Sequence, residues 1–433
     1  MSHTVLENIE MRLEQRQLDA LIKLHARYLS GRLGGRKAVL RNVDISKLSL
    51  HGEDMRQIDF SNCNMREMDL TSTNFQEAKL YSCDLSKSTL VNTSFFRCDL
   101  RGSTLEECDL TGANLDSADM RELAIMSGDK FIPAQRVNFK GADLSGCRMS
   151  GAMASKADFT DAILARSNMF KADLKNAVLA GADLSGARIK GANLHGADLK
   201  SAILIGINKE DLAQTGANAF EAITDDNIGR HIEEMEDSFE DLIATHSKWV
   251  QTAGKSGKQL DLSGYDLRSL ESLKNEKLTA LIANKACFIG MNLYKVEFQS
   301  ARLDNADFRR CKMDEADFRA SSLKGAVLNH AYVRNANFNP LLFGEEGPNR
   351  RFAPCDLSNA QMRFTNLSGS SMKSVSFENA DLSNADLSCC DLRETNFSGA
   401  KLDNANFEGS ALDGAVFDEK YHAFSKDALS KAE

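Results

Sequence analysis

The chain has 433 residues, enough for about three average domains, with 42% hydrophobic and 27% charged residues, ordinary for a soluble protein. Lys+Arg 53 against Asp+Glu 62 give a net charge of −9, which disfavours a general binder of nucleic acid or anionic membrane held by overall basic charge. No stretch approaches the ~18 apolar residues of a membrane span. The start, Met1 to Asn8, has neither the basic end nor the apolar run of an export signal, so a cytoplasmic location with ten reduced cysteines is expected.

In chain order, a helical stretch is expected from near Val5 to Leu29, then a Gly/Lys/Arg-rich turn from Gly31 to Lys37, so residues 1–36 form a helical cap. From Leu40 to Met120 an apolar residue occupies every fifth position without a slip: Leu40, Ile45, Leu50, Met55, Phe60 and onward. The lattice stops over 121–138 and resumes from Phe139 to Leu204, so 37–208 form one block. Residues 209–259 are an acidic linker, 11 Asp/Glu against 5 Lys/Arg, with a helix expected from near Asp226 to Val250. A second block, 260–418, keeps the spacing at Leu262 and Leu267, loses it over 269–283, and regains it from Phe288 to Phe338. After a break over 339–356 it runs from Leu357 to Phe417, leaving a tail, 419–433, that contains Tyr421 and Phe424.

A period of five fits neither a 3.6-residue helix nor a two-residue strand, but it suits a short strand plus a turn. Two residues before each centre stands Ala, Ser, Thr or Cys, and one before it Asp or Asn, as in Ala182-Asp183-Leu184-Ser185-Gly186. The centre and the small residue point inward, while Asp, Asn and Gly serve the turns. All four prolines (Pro133, Pro340, Pro348, Pro354) fall inside the breaks, as expected where a ladder donor is missing. Each break is expected to be an outward loop replacing most of one coil, with tips at Asp129–Pro133 and Phe343–Arg351. Both helices end in L-I-x-x-H-x-x-(Y/W)-(L/V), at Leu21–Leu29 and Leu242–Val250, so the chain reads as two copies of one plan.

These A-(D/N)-L-x-x repeats, over about two-thirds of the chain, strongly resemble the pentapeptide-repeat family. The resemblance implies a mainly β fold: two right-handed quadrilateral β-helices with four pentapeptides per coil, each preceded by an α-helical cap or linker. Residues 20 apart should then stack. Phe298, Phe318 and Phe338 keep that spacing, as do Phe377, Phe397 and Phe417. From Phe338 to Phe377 is 39, so all six rings would share one column if the break costs one residue. Eight cysteines (Cys63, Cys83, Cys98, Cys108, Cys147, Cys311, Cys355, Cys390) occupy the small inward position and read as buried apolar filler.

His25 with Tyr28 and His246 with Trp249 are the duplicated residues outside the lattice, read as hinges that pack each helix on its first coil, or else as a partner pocket. At the break tips, Phe131, Phe343, Arg350 and Arg351 are candidate contacts. No metal-ligand spacing recurs with the histidines, and neither phosphate-loop nor nucleophile-elbow motifs occur, so no cofactor and no enzymatic activity are expected. The leading expectation is a scaffold binding an unidentified protein partner. The family implies two alternatives, a DNA mimic that binds gyrase and protects it from quinolones, and a secreted bacterial effector. Charge weighs against the mimic, because net charge by segment alternates: +2 for 1–36, −4 for 37–136, +3 for 137–208, −6 for 209–259, +2 for 260–354 and −6 for 355–433.

Overall fold

The computed structural model describes residues 11–127, 130–343 and 351–421. The chain divides into two units, the first ending at Asn227 and the second beginning at Ile228. In chain order the first unit holds β1 (Met11–Arg12), α1 (Gln15–Leu29), β2 (Val39–Arg41), β3 (Val43–Asp44), β4 (Asp59–Ser61), β5 (Leu123–Ser127), β6 (Lys130–Gln135) and α2 (Lys209–Gln214). The second holds β7 (Arg230–His231), α3 (Phe239–Gln251), β8 (Tyr265–Asp266), β9 (Leu341–Phe343) and β10 (Arg351–Ala353). Between these elements each unit is a ladder of single parallel bridges, one every five residues, each joining a residue to the one 20 further on, as in Asp44↔Asn64, Ser49↔Asp69 and Asp54↔Asn74.

The hydrogen bonds of one pentapeptide explain its sequence. The Phe75 N–H donates to Ser94 C=O at 2.7 Å, Glu77 N–H to Phe96 C=O at 3.0 Å, and Lys79 N–H back to Ile58 C=O at 2.8 Å. Ala78 N–H closes a turn on the Phe75 carbonyl at 3.0 Å. The fifth donor, Gln76 N–H, is taken by the Asn74 side chain at 3.0 Å. Every amide of this repeat is thereby satisfied, as burial demands; in other repeats the fifth amide goes to a Ser hydroxyl, as His51 N–H to Ser49 at 3.2 Å, or to a side chain 20 residues earlier, as Asp304 N–H to Asn284 at 3.0 Å. The position two after the centre adopts φ near +60° whatever its side chain, as at Lys47, Gln57 and Glu67.

Inside, centres such as Phe75, Leu80, Phe95 and Leu100 are fully buried, each worth roughly 1.5–3 kcal/mol of transfer free energy. The small inward residue is buried beside them, and where polar it commonly donates to the carbonyl of the centre 23 residues earlier. Thr73 bonds Leu50 at 2.7 Å, Ser88 bonds Met65 at 2.9 Å, and Cys311 bonds Phe288 at 2.9 Å.

Several expectations require correction. Across each break the register changes from 20 to 34 residues (Thr104↔Asn138, Ser322↔Asp356) and then returns to 20. Each break is therefore a 14-residue insertion into the ladder, and no rung of the ladder is replaced. The inserted segments are antiparallel hairpins, β5 with β6 and β9 with β10. For the same reason the six phenylalanines do not share a column. Phe298–Phe318–Phe338 stack at 5.6 and 4.8 Å and Phe377–Phe397–Phe417 at 5.3 and 4.9 Å. Because Asn337 pairs with Ser371, Met372 lies next above Phe338, while Phe377 continues the column of Leu323 and Leu357.

The helices are shorter than expected. α1 starts at Gln15, after an N-cap at Glu14 whose capping box with Gln17 stops the helix there, and Met11–Arg12 is extended. α3 starts at Phe239 behind the Ser238 N-cap. Residues 209–227 belong to the first unit and not to a linker, since the ladder runs past 208 to Asp198↔Asn218 and Ile203↔Ile223. The irregular stretch after Leu267 is ladder with one extra residue: the register is 21 at Asp266↔Cys287 and 20 at Ser272↔Asn292, the surplus being absorbed at Arg268–Glu271.

All ten cysteines are free, and only Cys389 is exposed. Burial pushes the thiols of Cys287, Cys355 and Cys390 up to about 12. A thiol-specific chromogenic reagent at pH 8 should therefore titrate one cysteine rapidly in the native protein and ten in guanidinium. Fast reaction of several thiols without denaturant would contradict this packing.

Candidate functional site

Outside the ladder, the residues with specific chemistry lie in α1 and α3, with the turns that follow them, and in the two hairpins. In the first cap Leu18 and Ile22 are buried in the core of the first unit. Gln15 grips the first coil through both its amide atoms, Nε2 to Ser49 C=O at 2.9 Å and Oε1 from Ser49 N–H at 2.8 Å. His25 is fully buried. Its Nδ1 accepts from Ala38 N–H at 3.2 Å, so the proton lies on Nε2, which donates to the Arg56 carbonyl at 3.0 Å. The Tyr28 ring stacks on it, centroids 5.8 Å apart.

The second unit repeats this arrangement. His246 is fully buried, its Nδ1 accepts from Leu260 N–H at 3.1 Å, and Trp249 stacks at 6.0 Å. Its Nε2 faces the Thr279 carbonyl, which occupies the place of Arg56, without closing to full hydrogen-bond geometry. In both units the chain turns back against the helix so closely that a Cβ on Gly35 would meet Tyr28 N at 2.4 Å and one on Gly257 would meet Thr245 O at 2.3 Å. A two-residue strand before each helix covers the first coil: β1 pairs in parallel with β3, and β7 with β8.

The far ends are closed in a related way. In the first unit Asp225 accepts Gly206 N–H at 2.9 Å, and in the second Asp418 accepts Gly399 N–H at 3.1 Å, with the buried Tyr421 accepting Leu402 N–H on its hydroxyl at 3.0 Å.

The pentapeptide-repeat model matches in eight copies over residues 54–92, 93–124, 135–169, 167–204, 301–339, 355–393 and 390–419, more than half of the chain. The chain belongs to the pentapeptide-repeat family. Among solved structures of the family it is similar to QnrB1, a plasmid-mediated fluoroquinolone resistance protein, at 20% identity over 42% of this chain and 93% of that one, TM-score 0.27. It is also similar to HetL from the cyanobacterium Nostoc, involved in heterocyst differentiation regulation, at 19% identity over 90% and 97%, TM-score 0.15. A third is Rfr23 from the cyanobacterium Cyanothece, at 20% identity over 27% and 64%, TM-score 0.15. No curated protein matches the chain at a significant level.

Of the residues singled out in the sequence, the two histidines are interior and accept amides of the first coil, while Tyr28 is exposed at its edge and Trp249 is half-buried. Phe343 is exposed on β9. Arg350 and the side chains of Phe131 and Arg351 lie outside the described residues. Sequence reasoning missed a recurrent surface device, an Asp just before a centre and an Arg just after it. At Asp54–Arg56, Asp99–Arg101, Asp119–Arg121, Asp266–Arg268, Asp307–Arg309, Asp317–Arg319 and Asp391–Arg393 the guanidinium lies on its own Asp at 2.5–2.8 Å. The Arg56 guanidinium beside Asp54 holds that carboxyl below its usual range. The D-x-R spacing was in plain sight. Surface pairs of this kind add little stability, but they cancel the field that the Asp row would otherwise project.

Burial holds both His25 and His246 below the ordinary histidine pKa of 6.5. Between that value and the lower folded one, the unfolded chain binds more protons than the native one. The stability due to neutral caps is therefore complete above pH 6.5 and falls as pH drops through it. The thermal midpoint should decrease between pH 7.5 and pH 5.5 in the wild type and change less in the double variant His25→Gln/His246→Gln, whose amides keep a donor and an acceptor but take up no proton. Parallel curves for the two proteins would remove the histidines from this role.

Proposed function

We propose that the chain is a non-enzymatic, cytoplasmic protein–protein interaction scaffold built from two right-handed, four-sided solenoids, each opened by a helix that caps its first coil. The ten free thiols support a reducing compartment. The observation that carries the scaffold reading is the second hairpin. It leaves the register of every face intact, yet it presents Leu342, Phe343 and Phe352, 51%, 44% and 54% exposed, on a two-stranded sheet that contributes nothing to the ladder. An insertion that the fold does not need, and that sets apolar side chains in water, is best explained by a protein that covers it.

The register gives a clean way to remove the hairpins. Deleting residues 121–134 joins Met120 to Gln135, and deleting 339–352 joins Phe338 to Ala353; each deletion restores five-residue spacing, to Phe139 and to Leu357 respectively. The double deletion should keep the β-rich circular dichroism spectrum and a thermal midpoint within a few degrees of wild type while losing the proteins co-purified from the native source. Unchanged co-purification with both hairpins absent would refute the reading.

A gyrase-binding DNA mimic needs a continuous acidic face, whereas the net charge here alternates in sign from segment to segment and seven of the Asp before centres carry their own arginine. Micromolar protein is accordingly expected to leave gyrase supercoiling unchanged in a topoisomer gel; inhibition or quinolone protection would reverse the ranking.

A further inference from the structure

A different surface lies at the C-terminal end of α1. From Ala20 to Val43 there is no acidic residue, while Lys23, Arg27, Arg32, Arg36, Lys37 and Arg41 are all present. Arg41 is paired with Asp59 at 2.8 Å. The other five are exposed, and among the described residues none has a carboxylate within ion-pair distance. This is the opposite of the D-x-R habit elsewhere. Arg27 suits the negative end of a helix, but Arg32, Arg36 and Lys37 lie beyond the helix.

In the middle of these cations Leu33 is 101% exposed. Its loop is held by its own hydrogen bonds: Arg32 N–H to Arg27 C=O at 2.9 Å, Gly35 N–H to Arg32 C=O at 3.1 Å, and Arg36 N–H to Leu24 C=O at 3.0 Å. Gly31 and Gly34 stand at φ +65° and +78° with nothing within 4 Å of a Cβ built on either, so the tip projects into open space. Tyr28 and Val39 expose further apolar surface beside it. The equivalent loop of the second unit, Ala253–Lys258, carries Lys255 and Lys258 but no large apolar residue, and its Gly254 lies against the Trp249 ring.

A group of exposed cations with no carboxylate partner among the described residues is complementary to any polyanion. A rigidly presented leucine at its centre gains nothing from a phosphate backbone, whose non-specific attraction is purely ionic, but it gains from the boundary between headgroups and acyl chains. We propose that the Tyr28–Val39 loop docks peripherally on an anionic lipid surface, with Leu33 entering the acyl boundary and Lys23, Arg27, Arg32, Arg36 and Lys37 facing the headgroups. The negative charges of the remote segments do not oppose this, since beyond about 10 Å they are screened at 0.1 M salt. The proposal uses no residue of the hairpins and goes beyond the scaffold reading.

Flotation of the full chain with vesicles tests it. The protein should partition onto phosphatidylcholine vesicles containing 30% phosphatidylserine at 0.1 M salt, be released at 0.5 M salt, and ignore pure phosphatidylcholine. Each basic side chain at such a surface is worth roughly a fivefold gain in partitioning, so Arg32→Glu/Arg36→Glu should lower it by at least ~25-fold. Leu33→Asp should lower it several-fold, and Lys255→Glu/Lys258→Glu in the second unit should leave it unchanged, all with wild-type melting curves. Equal binding to neutral vesicles, no binding to anionic ones, or full binding by the Arg32→Glu/Arg36→Glu protein would overturn the proposal. Loss on charge reversal with no effect of Leu33→Asp would also overturn it, in favour of a soluble polyanion.

Discussion

The rest of the structure depends on the requirement that each backbone amide of a five-residue unit find an acceptor. Three amides go to neighbouring rungs, one closes the turn on the central carbonyl, and one goes to the Asp or Asn side chain. That last bond couples sequence to fold, because a short side chain carrying an acceptor oxygen at that place reaches the amide two residues on, Asp and Asn most often and Ser at Ser49 and Ser272. The register also forces φ near +60° on lysines, glutamates and asparagines at every turn. A left-handed conformation costs an L-residue roughly 1–2 kcal/mol, and the solenoid tolerates it repeatedly because the alternative is an amide without a partner inside a close-packed rod. Ladder bonds and buried centres together outweigh this recurring strain.

Periodic features were therefore legible in the sequence and aperiodic ones were not. Leu40 to Met120 fixed the lattice, and the small residue with the Asp or Asn before each centre fixed the inward and outward sides. The size of the insertions was not legible, since a gap of 19 residues between Met120 and Phe139 fits either a coil with residues missing or one step plus 14 added. Only the bridges across it decide, and the phenylalanine columns were misplaced for that reason alone. The single surplus residue at Arg268–Glu271 hid the ladder in the same way. Met11–Arg12 and Arg230–His231 gave no signal because a two-residue strand has no period; what recruits it is the unpaired edge of the first coil, a property of the assembled fold.

That open edge also accounts for the histidines. The first coil of each unit has amides that no earlier rung can accept, and Ala38 and Leu260 are two of them. A neutral imidazole suits the place because one nitrogen accepts while the other donates toward a carbonyl of the same unit, and its ring extends the apolar helix face. Lysine or arginine could not accept, and a carboxylate could not donate. The duplicated L-I-x-x-H-x-x-(Y/W) pattern was visible in the sequence, but as a repeated motif it was equally compatible with a ligand pocket. Complete burial and the bonds to the coil's own backbone favour the capping role.

Charge separates what the two copies do with their surfaces. Along the coils an Asp before a centre is answered at seven places by an Arg two residues later, which offsets its charge locally. The stretch from Ala20 to Val43 escapes that compensation because it precedes the lattice and contains no turn-forming Asp to answer. Its cations are free of partners among the described residues, and its leucine is free of the core, for the same topological reason: the loop belongs to the edge of the solenoid, where the repeat no longer dictates residue type. The equivalent stretch of the second unit, Leu242 to Leu260, is likewise without acidic residues and carries Lys248, Lys255 and Lys258, whereas Glu233, Glu234, Glu236, Asp237, Glu240 and Asp241 precede it. A net charge of −9 thus averages over segments of opposite sign, and it is the local field within a Debye length, not the sum, that a partner meets.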